Sequence, residues 1–171
     1  KVDPAGPRGG SPACNGEMKT KFGFINPGRL VDRDLELVLV EKYPGDMLKG
    51  YVPGYAFEMR RTGATLVLGS IRLRIGSSAK LRYPGHIGYA VNKKFRGHRY
   101  AARSCRLILS LARAHGLGAV WLTVDPKNGP SMKTCELIGA KYIETVRIPK
   151  KHEMYAQGAR YRRRYRLDLG K

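Results

Sequence analysis

The sequence predicts a single α/β domain built on a mixed, mostly antiparallel sheet. Its 171 residues fit one compact domain. Alternating apolar patterns occupy residues 35–75, and a strand, a helix and a second strand follow between residues 86 and 125. Residues 1–20, rich in Gly, Pro and Ser, predict a flexible leader, and the chain does not begin with Met. The folded domain is therefore expected to span residues 21–171.

The first half of the chain has the pattern of antiparallel strands. Leu35, Leu37 and Leu39 alternate with other side chains, which predicts a strand. Residues 41–53 contain two prolines and two glycines and leave no room for a long helix. The alternating runs 55–60 and 64–75 flank a turn and predict a hairpin.

A parallel pair of strands is expected next. Residues 86–91 form a short apolar run, and the helix after Arg99 carries its apolar residues at three- and four-residue spacing. Gly116 favours the end of that helix, and residues 119–125 predict a buried strand parallel to the first. The helix is expected to present its arginines together on the face opposite the apolar stripe: Arg99, Arg103, Arg106 and Arg113.

The last third predicts one further helix and two strands. Asn128 is a suitable cap for a helix that has Pro130 in its first turn and Gly139 beyond its end. Residues 141–148 and 161–169 then have the pattern of strands.

The chain is strongly basic, with 33 Lys and Arg, 13 Asp and Glu and a net charge of +20. Residues 93–113 and 147–171 each contribute +7. A positive field focused in this way predicts an anionic partner: a phosphate-bearing cofactor, an acidic substrate, RNA, DNA or an anionic membrane surface.

The arginines of residues 161–169 allow two interpretations. Aromatic residues interleaved with arginine are typical of nucleic-acid binding. An edge strand with one solvated charged face explains the same pattern and is favoured here, because Arg162, Arg164 and Arg166 fall on one face.

Several classes of protein are excluded by composition. Three widely spaced cysteines do not form a disulfide framework or a metal site, and they fit a reducing, cytoplasmic compartment. No apolar run is long enough to span a membrane, and no signal peptide is present.

The most informative segment is the turn at residues 91–102, VNKKFRGHRYAA. A turn that contains Gly97 and opens a helix presents free backbone N–H groups, and Lys94, Arg96 and Arg99 add positive charge. A phosphate site and an ordinary turn with solvated cations both fit these residues.

Two blocks together resemble the GNAT superfamily of N-acetyltransferases. Residues 86–101 look like its fourth strand and the acetyl-CoA pyrophosphate loop, Q/R-x-x-G-x-G/A, and residues 125–139, DPKNGPSMKTCELIG, look like the segment after its fifth strand. The resemblance extends from about residue 34 to 169. It implies a GNAT-like fold whose central parallel strands splay apart around the cofactor.

This resemblance implies an acetyl-CoA-dependent enzyme that transfers acetyl directly to a primary amine of a small molecule or peptide. Lys94 and Arg99 depart from the usual loop residues but keep the positive charge. The N–H near Val91 would polarise the thioester carbonyl, and Asn128 and Ser131 would lie beside the pantetheine. The remaining cofactor-binding candidates form the loop itself: Lys94, Arg96, Gly97, His98, Arg99, Tyr100 and Ala101.

The proton-transfer residues are less well defined by the sequence. Many family members carry a tyrosine seven residues after the Asn, whereas this chain has Cys135, so Cys135 and Ser131 are the candidate proton donors. Glu58 and His86 are the candidate bases. Core packing, helix starting and solvation explain the same residues equally well.

The acceptor, expected to be bound by loops 41–53, 76–85 and 149–158, is not identified by any motif. A homodimer, or an acceptor site completed by a partner subunit, stays open. The alternative function is a GNAT-fold component that binds RNA or the ribosome with weak or no catalysis.

Overall fold

The structure is a computed structural model that describes residues 21–77 and 79–170. The predicted leader, residues 1–20, lies outside the described residues. The described part contains eight strands, three α-helices and two short 3-10 helices, Ala79–Arg82 and Lys93–Phe95. The strands are β1 Leu30–Asp32, β2 Leu35–Tyr43, β3 Gly54–Arg61, β4 Val67–Arg74, β5 Ile87–Val91, β6 Ala119–Val124, β7 Lys141–Arg147 and β8 Tyr161–Asp168. The helices are α1 Tyr100–Ala114, α2 Gly129–Leu137 and α3 Glu153–Ala156.

All eight strands form one sheet in the order β1-β2-β3-β4-β5-β6-β8-β7. Every neighbouring pair is antiparallel except β5 and β6. The parallel pair is joined through the single register position Ile87↔Leu122. The two strands therefore separate toward their carboxyl ends, and the predicted mixed sheet with a splayed central pair is confirmed.

Helix α1 packs across the sheet against β1, β2, β4 and β5. Its apolar stripe is buried as the three- and four-residue spacing predicts, with Cys105, Ile108 and Ala112 all at 0% exposure. Burial of this stripe fixes the position of the amino-terminal end of α1 beside the carboxyl end of β5.

The prediction that Arg103 lies on the exposed face of α1 is wrong. Arg103 is buried at 8% exposure, and its guanidinium contacts Asp32 at 2.6 Å and Asp34 at 2.7 Å. Asp32 is the last residue of β1, and Asp34 belongs to the two-residue turn before β2, in which Arg33 has a left-handed φ of 53°. The sequence missed β1 because three residues are too few to display an alternating pattern.

The prediction of an edge strand at residues 161–169 is also wrong. β8 pairs with β6 on one side and β7 on the other, so β7 is the edge strand. Arg164 hydrogen-bonds Glu144, and its guanidinium lies 4.1 Å from the ring centroid of Trp121. Long arginine side chains bury their stems in this way while the head group finds a partner. β8 thus lacks the free row of arginines on which the RNA interpretation depends.

Among the described residues, Cys105 and Cys135 are free, buried thiols. No helix in this part of the chain has the length and apolar character needed to cross a membrane.

Candidate active site

A cavity of about 640 Å³, here called the cofactor cavity, opens where β5 ends and where α1 and α2 begin. Most of the cofactor-binding candidates from the sequence line it. The candidates that line it are Val91, Arg96, Gly97, Arg99, Tyr100, Ala101, Asn128 and Ser131.

The loop before α1 has the geometry of a phosphate cradle. Gly97 has a φ of +90°, and a Cβ built on it would meet no atom within 4 Å, so its backbone is open toward the cavity. Arg99, the residue that caps α1, is left-handed with a φ of 60° and makes no capping hydrogen bond through its side chain. The first-turn N–H groups of α1 are thus left for a ligand, with the positive end of the helix dipole behind them.

Two of the loop candidates do not line this cavity. The Lys94 ammonium lies 5.1 Å from the centroid of the Phe95 ring, and the His98 ring lies 5.5 Å from that of Tyr100. A role for Lys94 and His98 is therefore limited to charge or contacts at the rim.

The backbone of Val91 faces the gap between the splayed strands. Asn92 donates its N–H to Leu68 O on β4, at 2.8 Å. In an antiparallel ladder adjacent residues alternate between bonding the partner strand and facing away from it. Val91, which lies opposite Gly69, therefore turns its N–H and carbonyl toward the side that β6 has left.

Asn128 and Ser131 are brought together at the start of α2. The Asn128 side chain accepts the Ser131 N–H at 3.1 Å, which confirms the predicted cap. Both residues also line a second cavity of about 270 Å³, here called the central cavity, beside the carboxyl ends of β5 and β6. They thus separate the two cavities.

Tyr89 on β5 was not among the sequence candidates, yet it lines both cavities. Its hydroxyl is buried and forms no hydrogen bond with any described residue. Burial raises the pKa of Tyr89 to about 12, against a smaller opposing effect of the nearby Ser131 and Thr134 hydroxyls. The sequence signal was weak: Tyr89 is two residues before Val91 and so shares its face of the strand.

Cys135 belongs to the core under α2. It is 0% exposed and does not line the cofactor cavity, and burial raises the pKa of its thiol to about 12. The geometry gives this thiol no access to a departing thiolate.

The two candidate bases lie away from the cavities. Glu58 on β3 pairs with Arg60 at 2.6 Å. His86 is buried, with Nε2 2.8 Å from Gly76 O and Nδ1 accepting the Trp121 N–H at 3.0 Å. Burial lowers the pKa of His86. Since Nδ1 is already an acceptor in a hydrogen bond, the geometry assigns His86 a structural role that joins β5 to β6.

A third cavity of about 670 Å³, here called the outer cavity, is bounded by the three loops expected to bind the acceptor. Residues 43–46, 50–52 and 151–153, together with Leu81 and Pro84, contribute to its wall. Arg74 and Pro84 line both the outer and the central cavity. The central cavity thus lies between the other two and shares wall residues with each of them. Within the described residues no cluster of His, Cys, Asp and Glu is suited to hold a metal ion.

A splayed parallel strand pair with an anion-binding helix start at one side and loop-built cavities at the other defines an acyltransferase architecture. Residues 32–141 match the model of the acetyltransferase (GNAT) domain. The chain therefore belongs to the GNAT acetyltransferase family, whose acetyl donor is acetyl-CoA. The resemblance to this family that residues 86–101 and 125–139 indicated is confirmed. A search of curated protein sequences finds no match.

Solved structures agree with the fold. A GNAT-family acetyltransferase from Bacillus anthracis is 20% identical with a TM-score of 0.54 and aligns over 67% of this chain and 66% of its own. The ribosomal-protein-S5-alanine acetyltransferase of Vibrio fischeri is 16% identical with a TM-score of 0.55, and it aligns over 68% of this chain and 62% of its own. The microcin C7 self-immunity acetyltransferase, solved with acetyl-CoA and AMP, is 15% identical with a TM-score of 0.53. It aligns over 67% of this chain and 61% of its own. The matches thus span less than two thirds of each of these chains.

Proposed function

We propose that this protein is an N-acetyltransferase that passes the acetyl group of acetyl-CoA directly to a primary amine of a small molecule or peptide. The observation that carries the proposal is the gap between β5 and β6. The cofactor cavity lies at one side of the gap and the central cavity at the other, and Tyr89, Asn128 and Ser131 line both. Two reactants bound in these cavities would meet at these three residues.

The residues present fit acetyl-CoA. The open backbone at Gly97 and the free N–H groups at the start of α1 would hold the pyrophosphate, with Arg96 and Arg99 as counter-charges. The Val91 N–H, turned into the gap, would polarise the thioester carbonyl. When bound, acetyl-CoA supplies a thioester carbonyl that the amine attacks and a thiolate that leaves.

The protein residues must then deal with one proton, which leaves the amine nitrogen and ends on the thiol. The Tyr89 hydroxyl is the candidate for this task, because Tyr89 lines both cavities and its buried hydroxyl lies near those of Ser131 and Thr134. Its raised pKa keeps it protonated throughout the neutral range. Tyr89 would therefore donate a hydrogen bond to the departing thiolate. Asp125 provides the carboxylate in the wall of the central cavity that would accept the amine proton.

Calorimetry with acetyl-CoA, followed by an assay of thiol release with a panel of amines, tests the proposal. Binding of acetyl-CoA and amine-dependent release of CoA are expected. A protein that does not bind acetyl-CoA at millimolar concentration, or that releases CoA at the same rate with and without amine, would contradict it.

Replacement of Tyr89 by phenylalanine is expected to lower kcat by about 10- to 100-fold, the range for one proton-transfer or hydrogen-bonding group. The affinity for acetyl-CoA should stay within about twofold, because the lost hydroxyl makes no contact that holds the cofactor loop. Steady-state kinetics and calorimetry measure the two quantities. Tyr165→Phe, a buried tyrosine on β8 whose hydroxyl contacts Arg163, is the matched control. Equal kcat values for the two variants would remove Tyr89 from the mechanism.

Replacement of Cys135 by alanine is expected to leave kcat unchanged, because the thiol is fully buried and does not line the cofactor cavity. The free energy of unfolding should fall by about 1 kcal/mol for the small cavity that results. A large loss of kcat with a normal melting temperature would instead indicate that Cys135 is the proton donor.

A further inference from the structure

Arg74 at the end of β4 stands between the central and the outer cavity. Its guanidinium lies over Gly88, where a Cβ would be 3.5 Å from Nη1, and it donates to Gly85 O at 3.3 Å. No carboxylate of the described residues forms an ion pair with it. Burial lowers the pKa of Arg74. Glu153, which also lines the outer cavity, acts on this pKa in the opposite direction but more weakly than burial. A partly buried cation that lacks an ion-pair partner is costly, and a bound anion would offset that cost.

A second buried donor lies next to this arginine. The Tyr43 hydroxyl is buried and has no hydrogen-bond partner among the described residues, and Tyr43 lines the outer cavity with Arg74. Its ring lies against Gly54, where a Cβ would come within 2.6 Å of the hydroxyl oxygen. The two groups interact electrostatically, since the Arg74 charge opposes the burial that raises the pKa of Tyr43. The Tyr43 hydroxyl thus lacks an acceptor, and Arg74, which donates to Gly85 O, lacks an ion-pair partner among the described residues.

The central cavity contributes a further unpartnered donor and one carboxylate. Arg162 lines it, and the Nε of Arg162 is buried without a hydrogen-bond partner among the described residues. Asp125 is the one carboxylate that this part of the chain contributes to the wall, and its Oδ1 accepts the Lys127 N–H at 2.8 Å. The wall of the central cavity therefore carries two cationic side chains, Arg74 and Arg162, and one carboxylate, that of Asp125.

We propose that the acetyl acceptor is a small amine that carries an acidic group, a carboxylate or a phosphate, and that Arg74 binds this group with help from Tyr43 and Arg162. The inference rests on the proposed function, because it assigns the acceptor of the same site. The acid would satisfy the unpartnered donors, and the amine would lie between Asp125 and Tyr89, where the central cavity meets the cofactor cavity. The central cavity, at about 270 Å³, is of a size for a small molecule.

Calorimetric titration of paired amines, with and without saturating CoA, tests this assignment. Phosphoethanolamine is compared with ethanolamine for the phosphate, and β-alanine with propylamine for the carboxylate. At least one of the two acidic amines is expected to bind more tightly than the paired amine that lacks the acidic group. Arg74→Gln should weaken that binding by about 10- to 100-fold, the range for charge-assisted hydrogen bonds to one anion. Arg74→Lys should recover part of the affinity.

Arg72→Gln is the matched control, because Arg72 lies two residues earlier on the same strand, is exposed and lines none of the three cavities. The melting temperature separates a binding role from a structural one. Arg74→Gln should melt at the same temperature as the wild type or higher, since it removes an unpaired buried charge. A fall in melting temperature with unchanged acid binding would mean that Arg74 is structural.

The assignment is overturned if neither acidic amine binds at millimolar concentration, or if each binds no better than the paired amine that lacks the acidic group. It is also overturned if the Arg74 and Arg72 variants bind the acidic amines equally well. Failure of the wild type to bind acetyl-CoA would instead overturn the proposed function. These outcomes are distinguishable because Arg74 does not line the cofactor cavity.

Discussion

Replacement of Gly97 by glutamate is expected to lower the affinity for acetyl-CoA by at least about 100-fold, equivalent to about 2.7 kcal/mol. Two physical effects act together. The side chain would extend into the open space above Gly97, where the pyrophosphate is expected, and it would bring negative charge to that position. The φ of +90° is also one that residues with a Cβ rarely adopt.

Calorimetry with acetyl-CoA measures this change, and a second glycine of the same helix provides the control. Gly116 follows the carboxyl end of α1, has a φ of +78° and likewise has nothing within 4 Å of a Cβ. Gly116→Glu therefore carries similar backbone strain and the same added charge at the opposite end of the helix. We expect the Gly116 variant to bind acetyl-CoA normally. Normal binding by the Gly97 variant would place the cofactor elsewhere.

Replacement of Arg103 by methionine is expected to lower the free energy of unfolding by about 2 kcal/mol and the melting temperature by about 4–8 °C. The buried guanidinium joins α1 to Asp32 at the end of β1 and to Asp34 in the turn that follows, and Asp34 also accepts the Tyr100 hydroxyl at 2.8 Å. The substitution leaves Asp34 without its cation and leaves Asp32 with the exposed Arg33, at 3.4 Å. The effect falls below that of a fully buried ion pair because the Asp32 and Asp34 side chains are 33% and 46% exposed.

The same cluster predicts a dependence on pH. Hydrogen bonds from Arg103 lower the pKa of Asp34 to about 2 and also lower that of Asp32. A lowered carboxyl pKa contributes stability above the ordinary value near 4, and this contribution is lost as the pH falls from about 4 toward 2. Thermal unfolding across this range measures the loss, which should be smaller in the Arg103 variant.

Arg29→Met is the control, because it removes an ion pair on the surface. The Arg29 side chain is 72% exposed and lies 3.4 Å from the Glu36 carboxylate. Such surface pairs contribute about 0–1 kcal/mol. Equal melting temperatures for the Arg29 and Arg103 variants would show that the buried cluster does not stabilise the fold.

The sequence was sufficient for the features that depend on local chain geometry. Apolar alternation identified the hairpin of β3 and β4, and the helical spacing identified α1 with its buried stripe. Gly97 and the start of α1 indicated the proposed cofactor loop, since a backbone anion site needs only a permissive turn and an uncapped helix end. Each of these features is formed by residues close together in the chain, so no knowledge of distant contacts was required.

The tertiary structure decided the environment of individual side chains. Arg103 and Arg164 have the pattern of solvated cations in the sequence, but long-range pairing with Asp34 and Glu144 buries or occupies them. Tyr89 has the pattern of a packing residue, and only the packed structure shows that it lines both the cofactor cavity and the central cavity. Arg74 is likewise distinguished by the absence of an ion-pair partner among the described residues, a property of the whole packed sheet. Periodicity thus determined which elements form, whereas burial and partners, which depend on residues far apart in the chain, determined what each side chain is able to do.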